Sequence, residues 1–135
     1  MIQKGVRQRI IIRDIEKPRE DRADDDLKWI CDSLGFASGR DIEETSLKIM
    51  AELLGQFREK DVVATEEIAK SLKIEAPTIN HHLRNLMETG IIIREKRKVA
   101  LRGRSFSDAI EEMRRDSDRM FERILEVAKR IDEEF

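Results

Sequence analysis

Residues 75–90 read EAPTINHHLRNLMETG, and this stretch decides the fold because it describes one complete short helix with two different faces. Pro77 suits the first turn of a helix, where its missing N–H costs no hydrogen bond, and Gly90 suits the left-handed residue after the end. Apolar side chains repeat at helical spacing and predict one buried stripe, formed by Ile79, Leu83, Leu86 and Met87.

The opposite face of this helix differs from an ordinary solvated surface, which would carry mainly Glu and Lys. It offers a hydroxyl, an imidazole, a guanidinium and amides, from Thr78, Asn80, His81, Arg84 and Asn85. Such groups hydrogen-bond to base edges and phosphates. The pattern predicts a DNA-recognition helix over 77–89, in which Arg84 and Asn80 are the better candidates for reading bases.

Two helices and a short strand are predicted before this helix. A longer helix begins at about Asp41 or Glu43 and ends at Phe57, and DVVA at 61–64 supplies the strand. Thr65 is a suitable N-cap for the short helix EEIAKSL that follows. The order of helix, short helix, tight turn and polar-faced helix is that of a helix-turn-helix.

A β-hairpin is predicted directly after the recognition helix. IIIR at 91–94 and VALR at 99–102 are strand-like, and EKRK lies between them. The tip carries Lys96, Arg97 and Lys98, and the stretch 94–104 has six basic side chains against one acid. Its position beside the recognition helix favours contacts with the DNA backbone or minor groove, and the alternative is a solvated turn. The predicted winged domain spans 41–103.

An N-terminal extension over 1–40 is predicted to contain a strand and a helix. The β-branched stretch 6–15 indicates the strand, and acidic residues at 24–26 followed by apolar helical spacing indicate a helix that Gly35 ends. Trp29 is expected to anchor this helix to the main domain. Cys31, the only cysteine, lies on the apolar face and excludes an internal disulfide, so we expect a buried, inert thiol.

The segment 104–135 predicts a long helix with a heptad seam. From residue 106 to residue 131, positions spaced alternately 4 and 3 residues apart form a seam, which is apolar except at Ser117. Its apolar members are Phe106, Ile110, Met113, Met120, Ile124, Val127 and Ile131. We expect these residues to form a homodimer interface. The alternative is that the helix folds back on its own domain, but a core of about 60 residues would not cover all of it.

Composition limits the possible partners and locations. The net charge is −2 with 41% charged residues, but the basic residues are concentrated in 1–22 and 94–104, which suits one basic face. No apolar run approaches a membrane span, and the N-terminus lacks the apolar core of a signal peptide. The expected location is the cytoplasm.

The stretch 65–102, TEEIAKSLKIEAPTINHHLRNLMETGIIIREKRKVALR, resembles the winged helix-turn-helix of ArsR-like bacterial and archaeal transcriptional regulators. The residues that carry the resemblance are Thr78, Asn80, His81, His82, Leu83, Leu86, Gly90 and Ile91. The resemblance covers roughly 43–103 and implies a mainly α fold with a small β-hairpin wing. It also implies DNA binding, and a dimer formed through the C-terminal helix.

Metal-sensing members of that family differ from this sequence. Their paired cysteines near the recognition helix have no counterpart in 65–74, and 105–135 contains neither His nor Cys. Adjacent His81 and His82 project about 100° apart on a helix and cannot chelate one ion together. We therefore expect no metal and no cofactor.

The main hypothesis is a homodimeric, sequence-specific DNA-binding transcriptional regulator. The alternative is a winged-helix protein–protein interaction module of a transcription or replication assembly, which the negative net charge suits. An enzyme is not expected, because the sequence has no glycine-rich phosphate loop, nucleophile elbow or His–Cys or His–Ser arrangement. An effector pocket between the N-terminal extension and the dimer helices would be apolar.

Overall fold

A computed structural model describes residues 5–19, 22–36 and 44–135. In chain order, the elements of these ranges are α1 (Ala23–Ser33), α2 (Thr45–Phe57), β1 (Val62–Ala64), α3 (Thr65–Leu72), α4 (Ala76–Thr89), β2 (Ile92–Glu95), β3 (Lys98–Leu101) and α5 (Phe106–Glu134). The predicted mainly α fold with a small hairpin wing is confirmed. The predicted start of α2, at Asp41 or Glu43, lies outside the described residues.

The three strands form one antiparallel sheet in the order β1-β3-β2. Val63 and Arg94 both pair with Val99, so β3 is the central strand and β2–β3 is the predicted wing. The turn at its tip is tighter than the sequence indicated, since Glu95 already pairs with Lys98. Only two residues remain in the turn, and Lys96 there takes the left-handed conformation with φ 59°.

The hydrophobic core lies between α2, α3, α4 and the inner face of the sheet. Its fully buried side chains include Ile49, Met50, Leu53, Val63, Ile68, Ile79, Leu83, Ile91 and Val99. Burying each such side chain stabilises the fold by about 1.5–3 kcal/mol. This core holds α4 rigidly against the domain and leaves its other face free.

Helix α4 confirms the prediction at both ends and over most of its stripe. Pro77 lies in the first turn, and Gly90 ends the helix with φ 92°. Met87 is the exception, because 37% of it is exposed. It lies one 100° step from the buried Leu86, at the edge of the stripe. Thr89 is buried instead, and its hydroxyl donates to the Leu86 carbonyl at 2.8 Å.

Thr65 does not act as the predicted N-cap of α3. The cap position is Ala64, and no side chain caps the helix. Thr65 is instead the first helical residue, and its backbone N–H donates to the Arg97 carbonyl at 2.9 Å. The start of α3 is therefore tied to the turn of the wing.

The predicted N-terminal strand is wrong. Residues 5–19 form no strand, and two of their backbone N–H groups bond to the ends of helices. The Arg9 N–H donates to the Glu88 carbonyl of α4 at 3.0 Å, and the Arg13 N–H donates to the Ser33 carbonyl of α1 at 2.7 Å. This extended segment thereby bridges two helix C-termini, whose carbonyls lack partners within the helix.

Helix α1 is confirmed, and it packs against α2. Gly35 follows its end with φ 70°, and Cys31 is 1% exposed, as expected of a buried thiol. The role predicted for Trp29 needs correction. Its indole N–H donates to the Ile15 carbonyl at 2.8 Å, so Trp29 fastens the N-terminal segment to α1.

Helix α5 has two halves with different surroundings. Ser105 caps its start by accepting a hydrogen bond from the Asp108 N–H at 3.1 Å. In the first half Met113 is 3% exposed within the core, and Phe106 and Ile110 pack against that core. These three residues therefore contact the chain's own core, and their assignment to a dimer interface stays a prediction.

Every residue of α5 from position 121 onward is exposed. No helix within 5–19, 22–36 and 44–135 is long and apolar enough to cross a membrane.

Candidate nucleic-acid interface

The outer face of α4 exposes three of the predicted DNA-binding side chains together. Thr78, His81 and Arg84 are all solvent-exposed. Within the part of the chain that the structure describes, the Arg84 guanidinium has no hydrogen bond or ion pair. A guanidinium held on a rigid helix with all its donors free is suited to bidentate contact with a guanine edge or a phosphate.

Asn80 lies at the border between α4 and the wing. Its amide oxygen accepts a hydrogen bond from the Arg94 guanidinium at 2.8 Å, and Arg94 also donates to the Lys96 carbonyl at 3.1 Å. Arg94 therefore fixes the wing turn relative to the recognition helix. The sequence placed Arg94 in the basic stretch without distinguishing it from its neighbours.

Asn85 borders the opposite side of α4, facing the N-terminal segment. It lines a cleft of about 340 Å³ together with Arg9, Arg13 and Glu88. Both arginines are exposed, so they add positive charge beside the recognition helix. The excess of basic residues in 1–22 was the signal for them, but it did not indicate which residues would lie near α4.

The wing tip presents Lys96, Arg97 and Lys98 to solvent. Arg97 lies 3.6 Å from the Glu66 carboxylate of α3, and both side chains are mostly exposed, at 84% and 68%. An ion pair of this kind contributes at most about 1 kcal/mol and yields easily to another anion. The tip therefore remains available for phosphate.

A buried polar cluster joins the base of the wing to α4, α5 and the N-terminal segment. Its centre is Asp116 of α5, which is 4% exposed and accepts hydrogen bonds from Arg102, Arg119 and Gln8, the last at 2.7 Å. Gln8 also donates to the Thr89 carbonyl at 3.1 Å. We call these residues the Asp116 cluster; no sequence pattern indicated it.

Hydrogen bonding within this cluster shifts the pKa values of Asp116 and Arg102. The hydrogen bond from Arg102 lowers the pKa of Asp116, and the bond from Gln8 acts in the same direction, against the opposing effect of burial. The same hydrogen bond raises the pKa of Arg102. Both groups are therefore charged at neutral pH.

The paired histidines, His81 and His82, differ in orientation and exposure. Their rings lie edge to face with centroids 5.5 Å apart. His81 is exposed and His82 is half-buried. Across 5–19, 22–36 and 44–135, no three His, Cys, Asp or Glu side chains gather as a metal ion would require.

Comparison with known families supports the helix-turn-helix. The family model described as bacterial regulatory protein, arsR family, matches residues 44–94. This range begins immediately before α2 and ends within β2, so it contains the helix-turn-helix and most of the first strand of the wing. No curated protein and no solved structure matches the chain.

Proposed function

Because residues 44–94 match the arsR family of bacterial regulatory proteins, we propose that the chain is a homodimeric, sequence-specific DNA-binding transcriptional regulator. The family match supports the DNA-binding regulator in general. The specific contacts and the dimer are supported by the exposed groups on α4, the wing and α5.

One observation carries the DNA-binding proposal: basic residues flank the exposed face of α4 on both sides. Asn80 contacts the wing through Arg94, and Asn85 faces Arg9 across the cleft on the other side. At 100° per residue, Asn80 and Asn85 are roughly 140° apart around the helix, and Arg84 and His81 lie between them. The polar arc of α4 is thus bordered by cations.

This arrangement fits the major groove of B-DNA. The groove is about 12 Å wide and admits one helix, whose side chains then meet base edges. Arg84 and His81 are the proposed base contacts, with Thr78 at the base or backbone. Asn80, already bonded to Arg94, reads a base through its remaining amide donors or keeps the wing in place.

The wing is proposed to hold the phosphate backbone or enter the minor groove. Lys96 and Lys98 are exposed, and the residues described here offer them no ion pair. Contacts of this kind contribute affinity without sequence preference and weaken as salt rises, because they release condensed counterions.

The second half of α5 supports the homodimer. Its exposed apolar side chains follow one face of the helix, and they are Phe121, Ile124, Leu125, Val127, Ile131 and Phe135. Two such stripes can bury each other in a coiled coil. A two-fold axis through this pair would direct two α4 helices toward DNA half-sites about 34 Å apart.

Two measurements test the proposal. Selection of bound fragments from random double-stranded DNA at low salt should yield an enriched two-fold symmetric motif, and sedimentation should give the mass of two chains. Failure to retain any DNA at low salt would refute the regulator. A monomer at micromolar concentration would refute the dimer alone.

A protein-interaction module remains the second candidate, and the outer face of the sheet favours it. Val62 and Ile93 are 47% and 57% exposed and both pair with Ala100, so they form one apolar row across the three strands. If the chain is such a module, replacing Arg84 would leave the binding of the protein partner intact. Loss of partner binding on replacing Ile93, but not on replacing Arg84, would favour this candidate.

A further inference from the structure

An open cleft of about 410 Å³ lies between the N-terminal segment and the middle of α5. Residues 5–8 form one wall, and α5 residues between 116 and 123 form the other. It is the place where the sequence suggested an apolar effector pocket. Its lining instead includes three arginines, so the expected chemistry of this pocket needs correction.

Arg7, Arg119 and Arg123 line this arginine cleft. Arg119 and Arg123 are four residues apart and share a face of α5. Arg119 is bound to Asp116, but across the described ranges Arg7 and Arg123 have no hydrogen bond or ion pair. Two guanidinium groups therefore face one opening without a counter-charge of their own.

Asp116, the one acid among the described residues of the lining, does not neutralise them. Its carboxylate already accepts hydrogen bonds from Arg102, Gln8 and Arg119. The cleft thus carries excess positive charge although the whole chain has a net charge of −2. Such a local field attracts small anions rather than cations.

Apolar groups line the same opening. Val6 is 37% exposed beside the arginines, and Met120 lies between Arg119 and Arg123 on α5. A ligand that has both an anionic group and an apolar body would contact both kinds of surface. Inorganic anions would use only the arginines.

We propose that the arginine cleft binds a small organic anion, whose carboxylate or phosphate is held by Arg7 and Arg123 and whose apolar part lies against Val6 and Met120. The ligand is defined by this chemistry and is not a macromolecule.

The cleft connects directly to the end of the recognition helix. Gln8, in its wall, donates both to Asp116 and to the Thr89 carbonyl at the end of α4. A bound anion that displaces Gln8 or draws Arg119 away from Asp116 would disturb that end of α4. Any effect of the anion on DNA affinity rests on the proposed DNA-binding function. The binding of the anion to the cleft does not depend on that function.

The test measures anion binding to the full chain without DNA. Benzoate and inorganic phosphate are titrated at constant ionic strength while amide NMR shifts are followed, with benzyl alcohol as the neutral probe that keeps the ring. We expect saturable shifts at residues 5–8 and 116–123 with benzoate. Arg123→Gln and Arg7→Gln should each weaken benzoate binding by about tenfold or more, the cost of one charge-assisted hydrogen bond.

Arg114→Gln is the matched control. Arg114 is exposed on the same helix and pairs with Glu111 outside the cleft, so its loss removes one positive charge and should leave benzoate binding unchanged. Phosphate binding that weakens in the same two variants also supports the site. The proposal is overturned if neither anion gives saturable shifts, if benzyl alcohol binds as well as benzoate, or if both cleft variants bind like the control.

Discussion

Arg102, the residue after β3, donates to both carboxylate oxygens of Asp116, which is buried on α5. This ion pair joins the base of the wing to the helix proposed to form the dimer. Arg102 also reaches toward the Gly90 carbonyl at 3.5 Å, and Gln8 completes the cluster from the N-terminal segment. Three parts of the chain are thus held against the end of the recognition helix through one carboxylate.

Asp116→Asn should destabilise the protein by about 2–4 kcal/mol, because the half-buried Arg102 loses its closer carboxylate partner and keeps the more distant Glu112, at 3.5 Å. Urea denaturation followed by circular dichroism measures this loss. Asp118→Asn is the control, since Asp118 is exposed on the same helix. Equal stability of the two variants would show that the cluster contributes little.

The same pair predicts the response to acid. The pKa of Asp116 is lowered in the folded state, so its contribution is present above the unfolded carboxyl pKa, about 3.9, and is lost as the pH falls through the folded value. The stability difference between the wild type and Asp116→Asn should be constant from pH 7 to 5 and shrink below about pH 4. Melting temperatures at pH 7, 5, 4 and 2.5 measure it. A difference that does not shrink in acid would contradict the prediction.

Gly90→Ala should destabilise the protein by about 1–3 kcal/mol, for two reasons. Gly90 has φ 92°, which strains any residue with a Cβ, and a Cβ there would lie 2.6 Å from the Gln8 amide nitrogen and 3.0 Å from Arg102. Gly55→Ala is the control, since nothing lies within 4 Å of its Cβ position. Measured against Gln8→Ala alone, Gly90→Ala should cost less than it does in the wild type, because the closest contact is absent; urea denaturation of the four proteins measures the difference.

Local pattern was sufficient for the helix-turn-helix. The bounds of α4 follow from Pro77 and Gly90, and its buried stripe follows from spacing within a few turns. The Asp116 cluster could not be predicted this way, because Gln8 and Asp116 are 108 positions apart. A polar residue that finds its partner at such a distance leaves no periodic signal.

The heptad pattern of α5 predicted the helix but not its partners. Periodicity identifies the apolar face, and both a domain core and a second chain can cover such a face. The helix here uses the first possibility around Met113, whereas Ile124 beyond it is 62% exposed. The prediction of a strand in the N-terminal segment was wrong for a related reason. Its β-branched residues favour a strand, but here the Arg9 and Arg13 N–H groups bond to the ends of α4 and α1 instead of to the sheet.

Ile124→Asp should convert the proposed dimer into a monomer, because it places a charge in the centre of the paired stripes. The helix content of the folded domain should remain, since Ile124 is exposed and outside the core. Sedimentation velocity at micromolar concentration measures the change. Lys129→Asp is the matched control, since its exposed side chain lies off the apolar stripe and it also adds a carboxylate. A dimer that persists in Ile124→Asp, or is lost in both variants, would contradict pairing through this face.

Arg84→Ala and Lys98→Ala should affect DNA binding in different ways. Replacing Arg84, which is proposed to contact a base, should weaken binding to the preferred sequence by about 1–3 kcal/mol and binding to other sequences by less. Discrimination between DNA sequences therefore falls. Replacing Lys98, which is proposed to contact phosphate, should weaken binding to all sequences about equally. It should also reduce the slope of log K against log salt by about 1. Fluorescence anisotropy on matched and scrambled duplexes at several salt concentrations separates the two effects. Lys70→Ala, which removes an exposed cation on α3, is the control for net charge. If Arg84→Ala lowers affinity equally for both duplexes, Arg84 contacts the backbone and the assignment of base readout on α4 passes to His81 and Asn80.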